Sequence, residues 1–374
     1  MVKVANLVFN PFTNDSRVEK TSKSLAKAGY TVEVIANLDK NLMEKEFKDN
    51  YKVVRFSYLD RKTTKSKIKK IKAYLLYLKE SIKYVKTFNI IHCNDLNTLP
   101  VAFIVKQFLN KNIKVIYDAH EYESEMKNMS PFAKKATKFF ENILIKYADK
   151  VLTVSDSIAN EYSKLYNIEK PKLILNTPPY HSIIKKDLFR KEFNISEKQK
   201  ICLFQGALTS GRGIELMLEA FESLDDNMVA VFMGYGPLSD TVQEYAKKNN
   251  NIYYHKAVSP DILLDYTSSA DFGILFYENN CLNHYYCSPN KLFEYIMAEI
   301  AIISSNLYEL KRIIEGNKVG VVAKSDTPDG LKESIKEAIK LNPKTLQHNI
   351  QKAKEKYNWE EQEKILLKVY KELK

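Results

Sequence analysis

Apolar residues along the chain fall into short runs separated by amphipathic stretches, and the two patterns alternate. Runs rich in Val, Ile, Tyr and Phe occupy 2–9, 31–37, 51–58, 89–95, 113–120 and 150–155. Between several of them, at 17–28, 66–88 and 132–147, apolar residues recur every three or four positions. The runs predict buried strands and the recurrences predict helices with one apolar face. Strands separated by helices are parallel, because only a long connection can start a neighbouring strand in the same direction. The pattern breaks at Asn176-Thr-Pro-Pro179, which can continue neither a helix nor a central strand. A polar stretch then runs to Lys200, and a second series of runs follows at 201–206, 229–234, 251–258, 271–276, 301–305 and 319–323. The tail from Pro343 reads as helical and carries the one tryptophan, Trp359. These alternations predict an α/β chain of two doubly wound, Rossmann-like domains joined near residue 180. Ligands of open parallel sheets settle at the carboxyl ends of the strands, so two such domains face each other across the cleft that holds the site.

Composition narrows the class. Of 374 residues 45% are hydrophobic, so a disordered chain is excluded, and 10 Gly with 11 Pro exclude collagen-like and linker-like readings. Lys and Arg exceed Asp and Glu by 58 to 46, which points to an anionic partner. The cysteines Cys93, Cys202, Cys281 and Cys287 form no CxxC pair, so no disulfide framework is expected. The opening residues read as a strand rather than a signal peptide, and no apolar stretch reaches the ~18 residues of a bilayer span. The expected location is cytoplasmic, free or at the inner face of the plasma membrane.

Three motifs follow strands of the second half. In Phe204-Gln-Gly-Ala-Leu-Thr-Ser-Gly-Arg-Gly-Ile-Glu215, Gly206 lets the backbone approach a ligand and Arg212 arrives at a helix start, a combination suited to phosphate; the alternative is a βα turn with a solvated arginine. In Phe232-Met-Gly-Tyr-Gly-Pro-Leu238, Gly234 and Gly236 form a glycine pair, but Pro237 and Leu238 replace the rest of a dinucleotide fingerprint, which makes a nicotinamide cofactor a weak reading. In Ser288-Pro-Asn-Lys-Leu-Phe-Glu-Tyr-Ile-Met-Ala298, Pro289 fits the first turn of a helix. Asn290, Lys291 and Leu292 then present amides and a cation at the positive end of its dipole, and Glu294 suits a ribose diol. The alternative is a capped amphipathic helix with Leu292, Phe293 and Ile296 in the core.

The order of these motifs resembles the retaining glycosyltransferases of the GT-B fold, family 4, which transfer a sugar from a nucleoside diphosphate. The resemblance extends to Asp15-Ser-Arg-Val-Glu19, Asp118-Ala-His-Glu121, the strand entry Ser269-Ala-Asp271 and Tyr357-Asn-Trp-Glu-Glu361. It implies an acceptor-binding domain over 1–180 plus a returning helix at 355–374, and a nucleotide-sugar domain over 181–354. It places the ribose on Glu294, the diphosphate on Arg212 and on the Ser288, Pro289, Asn290, Lys291 and Leu292 segment, and the nucleotide beside Gly206, Gly234, Gly236, Lys256 and Val258. Catalytic roles fall to His120, Arg212 and Lys291, and acceptor-side roles to Asp15, Arg17, Asp95 and Glu121. The implied donor carries UDP first and GDP second, with no separate cofactor and no metal. The acceptor is a glycan or lipid-linked sugar of a bacterial surface polysaccharide (capsule, lipopolysaccharide or cell-wall glycan). Three positions depart from the family pattern: Tyr286 stands where a first glutamate faces the donor sugar, Ala207 where a basic residue follows the glycine, and Glu299 where a glycine ends the helix. A GT-B-like nucleotide-sugar epimerase, or a catalytically silent partner in a glycan-assembly complex, is the alternative.

Cys281, His284 and Cys287 supply only three ligands in no usual zinc spacing, so no metal is expected. The segment 61–86 is crowded with lysine, and Ile68, Ile71, Leu75, Leu78, Ile82 and Val85 recur along it at helical spacing, which predicts a core-facing stripe with a basic outer face. Such a face suits anionic lipid. No nucleic-acid module is recognisable, and nucleic acid is not an expected partner.

Overall fold

In a computed structural model, residues 1–56, 66–225 and 227–373 are described. The end of the strand expected at 51–58 and residues 61–65 of the basic segment therefore lie outside the described residues. The chain forms two units, Met1–Ile174 with the tail from Glu363, and Leu175–Gln362. The sequence placed the divisions at 180 and 355; a few residues separate the two versions. Leu175 N donates to Gln362 Oε1 and Trp359 N to the carbonyl of Pro178, so both ends of the second unit are fastened to each other.

The first unit has an 8-stranded sheet of order β3-β4-β2-β1-β5-β6-β7-β8. Its strands are β1 (Lys3–Leu7), β2 (Thr31–Asn37), β3 (Lys45–Lys48), β4 (Tyr51–Phe56), β5 (Ile90–Asn94), β6 (Lys114–Ala119), β7 (Lys150–Thr153) and β8 (Lys172–Leu173). All neighbours pair parallel except β3 with β4. The second unit is a 6-stranded parallel sheet of order β11-β10-β9-β12-β13-β14. Its strands are β9 (Lys200–Ala207), β10 (Met228–Tyr235), β11 (Ile252–His255), β12 (Phe272–Leu275), β13 (Ala301–Ser304) and β14 (Gly320–Val322). In both sheets the strand order reverses beside the first strand of the unit, which opens the crevice where such folds bind ligands. Central strands are buried throughout, as in the run Val229–Gly234, because helices cover both faces of a parallel sheet.

One helix turns out differently from its apolar pattern. In Lys67–Val85 the buried residues are Ala73, Tyr77, Ser81 and Val85, whereas Ile68, Ile71 and Leu75 are exposed. Tyr77 fixes this rotation: its hydroxyl donates toward the carbonyls of Val8 and Ile35 at the ends of β1 and β2. Among the described residues no helix is long and apolar enough to cross a membrane.

Candidate functional site

At the carboxyl end of β9 the chain turns through Gly206, whose φ of 114° lies where side chains rarely go. A Cβ there would stand 3.3 Å from Lys291 Nζ, so glycine leaves the lysine its place. Lys291 is 5% exposed, and among the described residues its ammonium has no hydrogen-bond partner. It lies 3.8 Å from the centroid of Phe204 and 5.5 Å from that of Tyr277. Arg212 sits over the same Tyr277 ring, also at 5.5 Å. Burial drives the Lys291 ammonium well below its ordinary value, and the neighbouring guanidinium adds to the shift against a weaker pull from Glu294. Two basic side chains are thus gathered on one aromatic ring, one of them buried.

Local sequence explains the placement of both cations. Arg212 lies between Gly211 (φ 91°) and Gly213 (φ 69°), and a Cβ on Gly213 would meet the Phe276 carbonyl at 2.0 Å. The loop is pinned to the end of β12 by Gly211 N donating to Glu278 Oε1 and Glu278 N donating to the Gly211 carbonyl. Lys291 is on the helix Asn290–Met297, which lies close on β12: Tyr295 takes the room a side chain on Gly273 would need. The Tyr295 hydroxyl donates to the Leu203 carbonyl and accepts from Gln205 N.

The remaining residues singled out from sequence fall as follows. Pro289 is the N-cap of that helix, extended at φ −69° and ψ 148°, rather than inside its first turn. The Leu292 amide donates to the Pro289 carbonyl, so it is spent within the turn; the amides of Asn290 and Lys291 are the ones a helix start leaves without an intrahelical carbonyl. Asn290 Oδ1 accepts from Asn176, and Ser288 is buried. Glu294 is half-buried and accepts from Gln205 Nε2 at 2.5 Å. Gly234 and Gly236 pass so close to the backbone of Gly206 and Leu208 that a Cβ would lie 1.9 and 2.2 Å from their carbonyl oxygens. β11 ends at His255, short of the expected 258, and leaves Lys256 and Val258 in the loop beyond it. Ala207 is the last residue of β9, and Tyr286 joins Tyr285 and Tyr308 in an aromatic cluster.

Glu299 keeps the left-handed turn of a glycine, with φ 62°. Its carboxylate accepts from the buried Lys354 at 2.5 Å and from Gln347 at 2.8 Å. Glu299→Gly removes about 1–2 kcal/mol of backbone strain but strips a buried cation of its counter-charge, a loss of about 3–5 kcal/mol. The expected result in urea unfolding is a net destabilisation of about 2 kcal/mol, recovered when Lys354→Met is added.

In the first unit, Arg17 is 3% exposed and turned inward. It donates to Asp118 through Nε at 2.9 Å and Nη2 at 2.6 Å, and to the Ile174 carbonyl at 2.6 Å. Asp15 caps the helix Ser16–Lys27 by accepting from Val18 N, and it also accepts from Asn10. Arg17 is thus engaged within the fold, and Asp15 serves there as a helix cap. Asp95, in a left-handed turn at φ 61°, accepts from the His120 amide. His120 Nε2 lies 3.1 Å from Asn94 Oδ1 and 3.5 Å from Asp118, and Nδ1 lies 3.8 Å from Asp95. Burial opposes charge on this imidazole, but the two carboxylates outweigh it and raise its pKa to about 9, so it is cationic at neutral pH. Glu121 is exposed. Glu123, which sequence reasoning passed over, lies beside Asp95; burial first, then that carboxylate, push its pKa up to about 8. His284 Nδ1 meets the Glu278 carbonyl and its amide donates to Cys281 Sγ. Among the described residues no group of three or more His, Cys, Asp or Glu is gathered to hold a metal.

Comparison with known proteins places each half. Residues 185–357 match the family model of glycosyl transferases group 1, and residues 16–176 match that of glycosyltransferase family 4. An uncharacterized glycosyltransferase of Methanocaldococcus jannaschii is 24% identical over 248 residues; the match spans 63% of this chain and 63% of that relative's length. Among solved structures, sucrose-phosphate synthase of Thermosynechococcus elongatus superposes with a TM-score of 0.80 at 16% identity, covering 100% and 99% of the two chains. Anabaena HepE in complex with UDP-glucose does so with 0.74 at 12% identity, covering 100% of each.

Proposed function

We propose that the chain, whose two halves match these family models on a GT-B fold, is a group 1 glycosyltransferase that moves a sugar from a nucleoside-diphosphate donor to a glycan or lipid-linked acceptor, with retention at the anomeric carbon. UDP is the first donor nucleotide to test and GDP the second. The observation that carries this reading is Lys291, a buried ammonium beside Arg212 with no hydrogen-bond partner among the described residues. Breaking the anomeric bond leaves growing negative charge on the diphosphate. Arg212, Lys291 and the amides of Asn290 and Lys291 are donors fixed in advance for that charge, each worth ~2.7–4 kcal/mol by analogy with oxyanion holes. The acceptor hydroxyl attacks from the face the diphosphate leaves, and the departing phosphate oxygen takes its proton. HepE, whose solved complex contains UDP-glucose, supports the donor class by analogy.

Thermal-shift titration with UDP, GDP, ADP and dTDP tests the site, since a ligand at 100 times its Kd adds about 2.7 kcal/mol of stability. No shift with any of them sinks the reading. Donor turnover then separates the alternatives: a transferase releases free nucleoside diphosphate slowly, an epimerase alters the sugar while it stays on the nucleotide, and a silent partner leaves the donor intact.

We further propose that the first unit contacts the inner face of the plasma membrane. Beside the exposed Ile68, Ile71 and Leu75, the exposed lysines Lys67, Lys69, Lys70 and Lys72 crowd one helix. A second helix, Pro131–Leu144, exposes Phe132, Phe139 and Phe140, and the short helix Leu99–Ile104 packs against both. Anionic lipid attracts a near-surface lysine by about 1 kcal/mol, and exposed rings next to it can enter the headgroup boundary. The chain should co-sediment with phosphatidylglycerol vesicles far better than with phosphatidylcholine ones, and Phe139→Ser with Phe140→Ser should weaken this at least about tenfold. Equal sedimentation with both lipids refutes the contact.

A further inference from the structure

A series of buried polar side chains in the first unit plays no part in the diphosphate site, and it ends at His120. The Nε2 of His120 lies 3.1 Å from Oδ1 of Asn94, the last residue of β5. Whether that nitrogen carries a proton depends on which way round the Asn94 amide sits. Ser22 donates to the Val18 carbonyl at 2.7 Å, so its oxygen is left to accept from Asn6 Nδ2 at 3.0 Å. This turns Asn6 Oδ1 to Asn94, whose Nδ2 donates to it and to the Leu7 carbonyl, both at 2.7 Å. Both protons of the Asn94 amide are spent there, and the Leu7 carbonyl can only accept. The Asn94 oxygen therefore faces the ring, and donation runs one way, from Nε2–H of His120 to Asn94.

Charged neighbours alone do not make that choice. Asp118 lies 3.5 Å from Nε2 and Asp95 lies 3.8 Å from Nδ1, so two carboxylates pull on opposite edges of the ring from similar distances. The Asp118 carboxylate is moreover shared with Arg17 and His92. The two edges differ in their surroundings. Asn94 and Asp118 are each 1% exposed, whereas the Asp95 side chain at Nδ1 is 30% exposed. At 3.8 Å that contact is too long for a direct hydrogen bond, so among the described residues no acceptor holds the Nδ1 proton.

We propose that Asn94, itself oriented by Asn6 and Ser22, is a positioning residue for His120: it keeps the Nε2 proton inside the fold and leaves Nδ1, beside Asp95, as the edge presented to substrate. The substrate in this statement rests on the sugar-transfer reading, whereas the state of the ring does not. The linkage explains why three uncharged polar side chains are buried in series behind a cationic imidazole, where apolar ones would be buried at less cost. It also means that the ring, on losing its charge, gives up the proton at Nδ1.

The test is the tautomer of neutral His120, read from imidazole 15N shifts at about pH 10, above its value of about 9, and assigned by difference against His120→Gln. In the wild type the Nε2–H form should exceed the Nδ1–H form at least about tenfold. Asn94→Leu should cut that ratio to under about threefold, and Asn94→Asp, which keeps an acceptor against Nε2, should retain it. Asn94→Leu should also lower kcat about tenfold while leaving the affinity for the free nucleoside diphosphate unchanged. A wild-type ring that is mainly Nδ1–H, or evenly mixed, would overturn the proposal even if Asn94→Leu fails to fold. So would a folded Asn94→Leu chain with the wild-type tautomer ratio, or one with a changed ratio and undiminished kcat. A wild type that binds nucleoside diphosphate but transfers no sugar would remove the transfer reading, and with it the substrate, while the tautomer result stood on its own.

Discussion

Replacing Lys291 with methionine should lower turnover by about 100- to 1000-fold while leaving the chain folded, and even more resistant to urea. Both effects have one origin. The ammonium is buried against Phe204 and Tyr277 with no hydrogen-bond partner, and Arg212 repels it. In the free chain that environment lowers its proton affinity, so between the lowered value and the unfolded 10.5 the unfolded chain binds more protons than the folded one. Stability therefore rises with pH across that window. Methionine fills similar space without the charge, so the variant should gain stability at neutral pH and lose this slope. A diphosphate reverses the balance, because an anion against the lysine favours its charged form. Nucleotide binding by the wild type should take up a proton, visible as a binding enthalpy that varies with the ionisation enthalpy of the buffer. Affinity should fall as pH climbs past the free-state value. In Lys291→Met the proton uptake should vanish along with most of the affinity. A variant that binds UDP or GDP as tightly as the wild type, with the same buffer dependence, would remove the lysine from the site.

Much of this site is legible in the sequence because its geometry rests on residues with few structural options. Gly206, Gly211 and Gly213 mark places where the backbone adopts positive φ, and the strand-to-turn pattern around them puts Arg212 at a helix start. The segment from Ser288 to Glu294 reads as a helix start because proline there restricts the chain to an extended entry. What the sequence hides are contacts between distant residues of unremarkable type. Thr267 and Gln205 lie 62 residues apart, and Gln205 and Glu294 lie 89 apart. An amide in a strand and a hydroxyl at the end of a helix give no local sign of meeting. The rotation of Lys67–Val85 is hidden for another reason. Ile71, Leu75 and Leu78 recur at helical spacing, but so do Ala73, Tyr77, Ser81 and Val85, and hydrophobicity ranks the first set higher. The hydroxyl of Tyr77 decides between them by satisfying carbonyls at the ends of two strands. Strand β3 escapes because Lys45-Glu-Phe-Lys48 is polar and short, as an antiparallel edge tends to be. The burial of Arg17 is equally illegible: its place at the start of the first helix points to a ligand, and only its partner Asp118, 101 residues away, explains it.

That partner yields the largest expected effect on stability. Asp118 is 1% exposed and serves as the one carboxylate on which Arg17, His92 and His120 converge. Burial raises its proton affinity, but the guanidinium of Arg17 and the imidazolium of His120 overcome this and hold its carboxyl well below the usual range. The network reaches the returning tail as well. His92, kept neutral chiefly by its burial, turns Nε2 to Asp118 and Nδ1 to the Tyr370 hydroxyl at 2.7 Å. Asp118→Asn keeps the shape but sets an amide against the guanidinium and leaves a buried cation unneutralised, at a cost of about 3–5 kcal/mol to the first unit. Two units make a single melting temperature a blurred readout, so amide exchange in β5 and β6 is the measurement of choice. Because a depressed carboxyl stabilises the fold above its unfolded value of 3.8 and loses that contribution as pH falls toward its folded one, the wild type should weaken in acid. The variant should lack that part of the acid limb. Replacing Arg17 and Asp118 together by Met and Leu should cost much less than Asp118→Asn alone, since no charge is then stranded. His120 supplies the control: without Asp118 only Asp95 remains to support its charge, so its titration should drop from about 9. An Asp118→Asn chain with undiminished exchange protection and an unmoved His120 would mean that Asp95 alone supports the imidazolium and that Arg17 has found another partner.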